Sequence, residues 1–211
     1  MPASTALLDA SERARLARLR SRTRARRYAA RRSALRLVLG AALEIPPQLV
    51  PLEPGSHGKP RIAAETSLSF SVSHRGASAV IALAHGGAIG VDIESARPHG
   101  SPRRLAARFF HPEEAAEIAA LPAALATDAF LRCWTAKEAV LKAIGVGLEE
   151  GMREVVLTAD PREPLRLRRV PGALDAADWT LHELCVHGHR LALALAQAQA
   201  RIEAIRALPS V

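Results

Sequence analysis

The pentapeptide Gly90-Val91-Asp92-Ile93-Glu94 places two carboxylates two residues apart. In a strand that spacing sends both to one face, with Ile89, Val91 and Ile93 on the other. Like charges this close repel, so the pair calls for full solvation, a bound cation or basic neighbours. On this motif alone two readings stand, the polar outer face of a half-buried strand and part of a cation site. A second concentration of chemistry lies at 130–148, FLRCWTAKEAVLKAIGVGL. Helical spacing gathers Phe130, Trp134, Leu141 and Ile144 into an apolar stripe, and Lys137 falls inside it. An ammonium there must snorkel or find a buried carboxylate. Glu138 and Lys142 stand beside the stripe at i and i+4, which taken alone is an ordinary helix ion pair. Asp92, Glu94 and Glu138 together, completed by phosphate oxygens and water, suit Mg²⁺, a hard ion that prefers octahedral oxygen ligands and shares its shell with substrate phosphates. A metal-bound diphosphate is the chemistry this set points to.

Lysine usage sharpens that reading. Of 29 basic residues only three are lysines, Lys59, Lys137 and Lys142, in a chain that otherwise spends arginine on positive charge. A compact ammonium suits sites that a planar guanidinium does not. Ser73-His74 ends a strand pattern where a cleft can open, and His74 can hydrogen-bond or, protonated, pair with phosphate; a lone histidine is more often a structural residue. Gly58-Lys59-Pro60 by itself is a turn with an exposed lysine. The pair His187 and His189 fits an exposed turn better than a metal site. Cys133 and Cys185 show no CxxC spacing and read as buried, reduced thiols. There is no P-loop and no serine nucleophile elbow.

The elements that must position these groups follow from periodicity. Residues 11–44 read as one helix, ended by Pro46-Pro47. Leu68, Phe70, Val72 and His74 alternate with Ser67, Ser69, Ser71 and Ser73 as a strand with one buried face. Ser78–Ala84 and Ala88–Glu94 read as two more strands joined by His85-Gly86-Gly87 as a hairpin turn. Ser95–Pro102 has the composition of a linker. Beyond it, His111-Pro112-Glu113-Glu114 opens a helix with proline at its first position and acids in its first turn. Another helix, capped by Thr127 or Asp128, runs to about Ile144 and ends at Gly145. Strands are expected at Glu154–Thr158, Leu165–Arg169, Trp179–Val186 and Arg190–Ala196. Each half thus runs helices first and a small antiparallel sheet afterwards. The expected fold is α+β, two similar subdomains, 1–95 and 96–211, with the active site in the cleft between them.

Taken in order, Gly58-Lys59-Pro60, FSVSH (Phe70 to His74), GVDIE (Gly90 to Glu94), RFFHPEE (Arg108 to Glu114) and WTAKEAVLKAIGVGL (Trp134 to Leu148) resemble the Sfp-type phosphopantetheinyl transferases. The length matches the pseudo-twofold, monomeric type. The resemblance implies transfer of the 4'-phosphopantetheine arm of coenzyme A to a serine of an acyl or peptidyl carrier protein, with release of 3',5'-ADP. It implies that Asp92, Glu94 and Glu138 hold Mg²⁺, or Mn²⁺ in its place, against the diphosphate, with Glu138 or a metal-bound water as base. Lys142 and His74 would meet the diphosphate region. Lys59 with its neighbour Pro60, Ser73 and Arg27 would reach the 3'-phosphate and adenosine. Lys137 would hold the catalytic helix, and the role of Glu114 is left open.

Composition bounds the rest. No apolar run is long enough for a membrane span and the N-terminus lacks the apolar stretch of a secretory signal, so a soluble, cytoplasmic protein is expected; the resemblance implies a monomer. Eleven arginines fall between Arg13 and Arg36, where Asp9 and Glu12 are the only acids before Glu44. Something anionic should meet this end, CoA phosphates and acidic carriers by the resemblance. The rival is a basic nucleic-acid-binding protein, weakened by only seven aromatics and by the absence of a zinc-finger or RNP signature.

Overall fold

The structure, a computed structural model, describes residues 5–55, 59–95, 100–147, 151–172 and 174–205. It contains two compact units, one built on the chain up to Glu53 with Ile62–Glu65, the other on Pro54–Arg61 and Thr66–Arg201. The chain crosses between them through two short strands, β1 (Leu52–Pro54) and β2 (Pro60–Ile62).

In the first unit the single helix expected over 11–44 is two helices, α1 (Ala10–Ala17) and α2 (Arg22–Leu43). Asp9 and Glu12 form a capping box at the start of α1, and the Ser21 hydroxyl accepts from Arg24 N at the start of α2. The break has an electrostatic reason. Arg36 is fully buried, and its Nε donates to Glu12 Oε2 at 2.6 Å while its Nη2 reaches Asp9. On a continuous helix, 24 residues would hold Arg36 and Glu12 about 36 Å apart. Folding α1 back lets the only acids of this stretch neutralise the buried guanidinium, and the carbonyls of Pro47 and Val50 accept its remaining donors.

In the second unit β3 (Leu68–Arg75) and β4 (Ser78–His85) form an antiparallel hairpin, turned at Gly76 with φ +61°. The hairpin expected through His85-Gly86-Gly87 does not form. Instead β5 (Ile89–Ser95) pairs antiparallel with β9 (His189–Leu195), which pairs with β8 (Thr180–Val186), in the order β5-β9-β8. Serine side chains join β3 to β5. Ser71 Oγ accepts from Val91 N at 3.1 Å and Ser73 Oγ from Ile93 N at 3.4 Å. The serine face expected to be solvated is therefore buried at Ser71 and Ser73, while His74 is exposed. A hydroxyl can satisfy a neighbouring strand's N–H where no ladder carbonyl does, so alternation with serine does not fix which face meets water.

Helices cover this unit. One, α3 (Pro102–Phe109), was not expected, since its start reads as linker; of that linker, residues 96–99 lie outside the described residues. Next, α4 (Pro112–Ala120) starts as expected, with His111 as cap and Glu114 closing a capping box. The long helix α5 spans Ala123–Ile144 and begins four residues before Thr127 and five before Asp128, the expected caps. Thr127 instead donates back to the Ala123 carbonyl at 3.4 Å, and Asp128 pairs with Arg190. Gly145 ends α5 at φ +81°. The remaining strands, β6 (Val156–Leu157) and β7 (Leu167–Arg169), pair antiparallel. Cys133 is buried in α5, but Cys185 is exposed, because alternation on edge strand β8 turns it outward with Glu183.

The core lies where α5 meets β5 and β9, lined by Ala129, Cys133, Ala136, Val140 and Leu141 from the helix. Phe110 stacks on Phe130 at 5.3 Å and Phe109 meets Trp134 edge-on at 5.7 Å. The fold is α+β, with two similar halves that each run helices before small antiparallel strands.

Candidate metal and phosphate site

The site is built where α5 crosses β5, and Gly90 lets them approach. A Cβ at Gly90 would lie 1.8 Å from the Ala139 carbonyl oxygen and 2.6 Å from Ala143 N, both backbone atoms of α5. Only glycine permits this contact. It brings Glu138, next to Ala139, opposite Asp92 and Glu94. Oxygen atoms of Asp92, Glu94 and Glu138 all lie within 4.8 Å of one another. The expected shared face of Asp92 and Glu94 is thus the face on which the helix packs, so Asp92 is buried and Glu94 partly so.

Lys142, one turn beyond Glu138, enters the same cluster. Its Nζ lies 2.5 Å from Asp92 Oδ1, 3.4 Å from Glu138 Oε2 and 3.1 Å from Ser73 Oγ. The Ser73 hydroxyl donates to the same Asp92 oxygen at 2.7 Å. Arg75, the last residue of β3, reaches Glu94 Oε2 at 3.3 Å. Two cations thus face three carboxylates. Burial and the nearby Asp92 carboxylate push Glu138 up to about 7, and burial with Asp92 also raises Glu94. Asp92 Oδ2 is buried with no hydrogen-bond partner. An orphaned carboxylate oxygen in an all-oxygen cluster fits a hard divalent cation and leaves nothing for a soft one.

The other lysines sit nearby. Lys59 Nζ donates to the carbonyls of Lys142 at 2.6 Å and Ile89 at 3.3 Å, tying the end of α5 to the start of β5, and burial lowers its pKa. Lys137 does not snorkel: it is fully buried. Its Nζ bonds Glu114 Oε2 at 2.7 Å and the carbonyls of Met152 and Val155, and lies 4.8 Å from the Phe110 ring centroid. Glu114 Oε1 accepts from Leu157 N at 2.9 Å, which gives the acid left without a role at sequence level its place: it neutralises Lys137 and anchors β6.

Of the residues singled out in the sequence, the structure brings Asp92, Glu94, Glu138, Lys142 and Ser73 together. His74 follows Ser73 on β3 and is exposed; Pro60 opens β2 beside Lys59. Arg27 is exposed on α2, in the first unit. Gly58 and Leu148 lie outside the described residues. Sequence reasoning passed over Gly90 and Arg75. The signal for Gly90 was there, since a glycine inside a strand marks a close backbone approach; a terminal arginine among so many gave none.

Comparison with known proteins agrees with this geometry. Residues 88–196, which contain the three acids and Lys142, match the family model of the 4'-phosphopantetheinyl transferase superfamily. The chain is 36% identical to the 4'-phosphopantetheinyl transferase HetI of Nostoc sp. over 182 residues, 85% of this chain and 74% of that one. It is 39% identical to the 4'-phosphopantetheinyl transferase AcpT of Salmonella typhi over 110 residues, 52% of this chain and 56% of that one. A phosphopantetheinyl transferase of Thraustochytrium sp. is 29% identical over 181 residues, 80% of this chain and 63% of that one. With the acidic cluster of β5 and α5 inside the matched region and relatives aligned over most of its length, the chain belongs to the 4'-phosphopantetheinyl transferase superfamily.

Proposed function

We propose that the chain moves the 4'-phosphopantetheine arm of coenzyme A to a serine hydroxyl of an apo acyl or peptidyl carrier protein, with Asp92, Glu94 and Glu138 holding Mg²⁺ against the diphosphate. The observation that carries the reading is the unpartnered, buried Asp92 Oδ2 inside the three-acid cluster. The cation, when bound, neutralises diphosphate charge and orients it.

The chain's own groups do the rest. Glu138 is the carboxylate placed to take the proton of the carrier serine. The serine oxygen then bonds to the β-phosphorus as the bond to the bridging oxygen of the leaving 3',5'-ADP breaks. Lys142 offers a mobile positive charge, side chain one-quarter exposed, to the charge that develops there. Lys59, Pro60, Ser73, His74 and Arg27 serve the CoA phosphates and adenosine. In this reading residues 1–95 carry the 3'-phosphate and adenosine side and residues 96–211 the catalytic helix, and the protein works as a cytoplasmic monomer. No described helix is long and apolar enough to cross a membrane. The nucleic-acid-binding alternative has no support beyond the charge of the first helices.

The test is incubation with a fluorescent CoA, Mg²⁺ and a panel of apo carriers. Wild type labels a carrier, and Glu138→Gln keeps the fold but loses labelling. Wild-type turnover by that variant would reject the metal and base assignment.

A further inference from the structure

We infer that Lys142 is a built-in counter-cation of the acidic cluster, which the divalent ion must displace and which the diphosphate of the substrate then receives. The inference rests on the metal-site reading above and concerns how that site is regulated.

The argument is one of space and charge. The Lys142 ammonium stands 2.5 Å from Asp92 Oδ1 and 3.4 Å from Glu138 Oε2, so it already occupies the region on which two of the three acids converge. A divalent ion takes carboxylate oxygens at about 2.0–2.1 Å in a near-octahedral shell. An ammonium in its present place would then lie within a few ångströms of that ion, and two cations so close repel strongly in a partly buried site. Asp92 cannot swing away to serve the metal alone, because Ser73 holds its Oδ1 at 2.7 Å from a hydroxyl that also accepts from Ile93 N. Nor can α5 retreat, with Gly90 against its backbone and Lys59 bonded to the Lys142 carbonyl. The side chain of Lys142 can move: it is 26% exposed, against 3% for Asp92, and its four-carbon stem is flexible. Arg75 differs, since its acidic partner among the described residues is the outer acid, Glu94, at 3.3 Å.

The consequence is coupling. Metal alone must expel an ammonium into water, whereas metal arriving with a diphosphate offers it a new anionic partner. Each ligand therefore strengthens the other through Lys142. The arrangement disfavours a metal-loaded site without CoA, and offsets part of the charge of Asp92 and Glu138 while the enzyme waits.

The test measures Mn²⁺ binding to the metal-free full-length chain by the loss of free-ion electron paramagnetic resonance signal, with no carrier or turnover involved. Lys142→Met, which keeps the stem and removes the charge, should bind Mn²⁺ alone about tenfold or more tightly than wild type; Lys142→Gln is the second variant should Met misfold by circular dichroism. Lys142→Arg should stay within about threefold of wild type, and Glu138→Gln should bind at least about tenfold more weakly. Addition of CoA should tighten Mn²⁺ binding more in wild type than in Lys142→Met. The inference is overturned if wild type binds in a Glu138-dependent way and both neutral variants bind equally or more weakly. If neither wild type nor the neutral variants bind Mn²⁺ at all, the metal-site reading itself fails and the inference with it.

Discussion

Replacing Gly90 by alanine adds one methyl group 33 residues or more from any residue of α5 in sequence, yet it should disable the site. The new Cβ would stand 1.8 Å from the Ala139 carbonyl oxygen and 2.9 Å from the Ala139 carbonyl carbon. Neither is the end of a flexible side chain, so no rotamer change relieves the clash. Strand and helix must part by more than about 1 Å before the contact is tolerable. Overpacking of this kind costs about 1–3 kcal/mol of stability. The functional loss should be larger than the stability loss implies, because Glu138 travels with Ala139 while Asp92 and Glu94 travel with β5. A hard ion demanding ligands at about 2.0–2.1 Å does not bridge a gap widened by 1 Å, and a misplacement of that size lowers turnover about 100-fold. Carrier labelling, Mn²⁺ titration and thermal melts of Gly90→Ala should show all three effects. Gly188→Ala is the matched control: its φ of +74° makes alanine strained, but nothing lies within 4 Å of the added methyl. It should lose about 1–2 kcal/mol of stability and no metal affinity. If Gly90→Ala labels carrier and binds Mn²⁺ as wild type does, the close approach of α5 to β5 is not what assembles the three acids.

Other expectations follow from the same contacts. Ser73→Ala should weaken Mn²⁺ binding about tenfold in the absence of CoA, since Ser73, besides serving the CoA phosphates, fixes the Asp92 carboxylate; a raised KM for CoA with Mn²⁺ affinity unchanged would remove the second role. Glu138 carries its proton up to about 7 in the folded chain against 4.5 ordinarily, so Mn²⁺ affinity should rise with pH up to about 7 and level off above it. The metal-free protein, binding a proton that the unfolded chain has released, should lose stability over that same rise, read from melts in a chelator. Lys137→Met should cost about 3–5 kcal/mol by leaving Glu114 buried and unpaired, and adding Glu114→Gln should recover part of it; equal melting of the single and double variants would remove the ion pair from the account.

The chemistry was more legible in the sequence than the topology. Spacing sufficed for the strand face of Asp92 and Glu94, for the helix face of Glu138 and Lys142, and for the demand that Lys137 either snorkel or find a carboxylate, because each is a local consequence of period 2 or 3.6. Which strand β5 joins was not legible. Two glycines after His85 permit a hairpin as readily as a departure, and the choice is made by pairing with residues a hundred positions later, Asp92 opposite Ala192 among them. The break between α1 and α2 was hidden for the same reason: local propensity continues the helix, and only the burial of Arg36 requires Asp9 and Glu12 to come back to it. The serines of β3 show the limit of polarity patterns, since hydrogen bonding to β5 makes Ser71 and Ser73 core residues.

What links these observations is the use of an ammonium where directions must converge. Lys59, Lys137 and Lys142 each hold one nitrogen against two or more oxygens drawn from different elements: two carbonyls of α5 and β5, a carboxylate of α4 with carbonyls of Met152 and Val155, and the oxygens of Ser73, Asp92 and Glu138. A guanidinium spreads its five donors over a rigid plane, and Arg36 shows what that suits, a broad ring of acceptors around a buried fork. The tetrahedral ammonium gathers acceptors to a point, and in Lys142 that point lies where Asp92 and Glu138, two of the three acids, converge. A chain that meets other demands for positive charge with arginine therefore keeps lysine for the joints that hold α5, and for the one cation that must be able to leave.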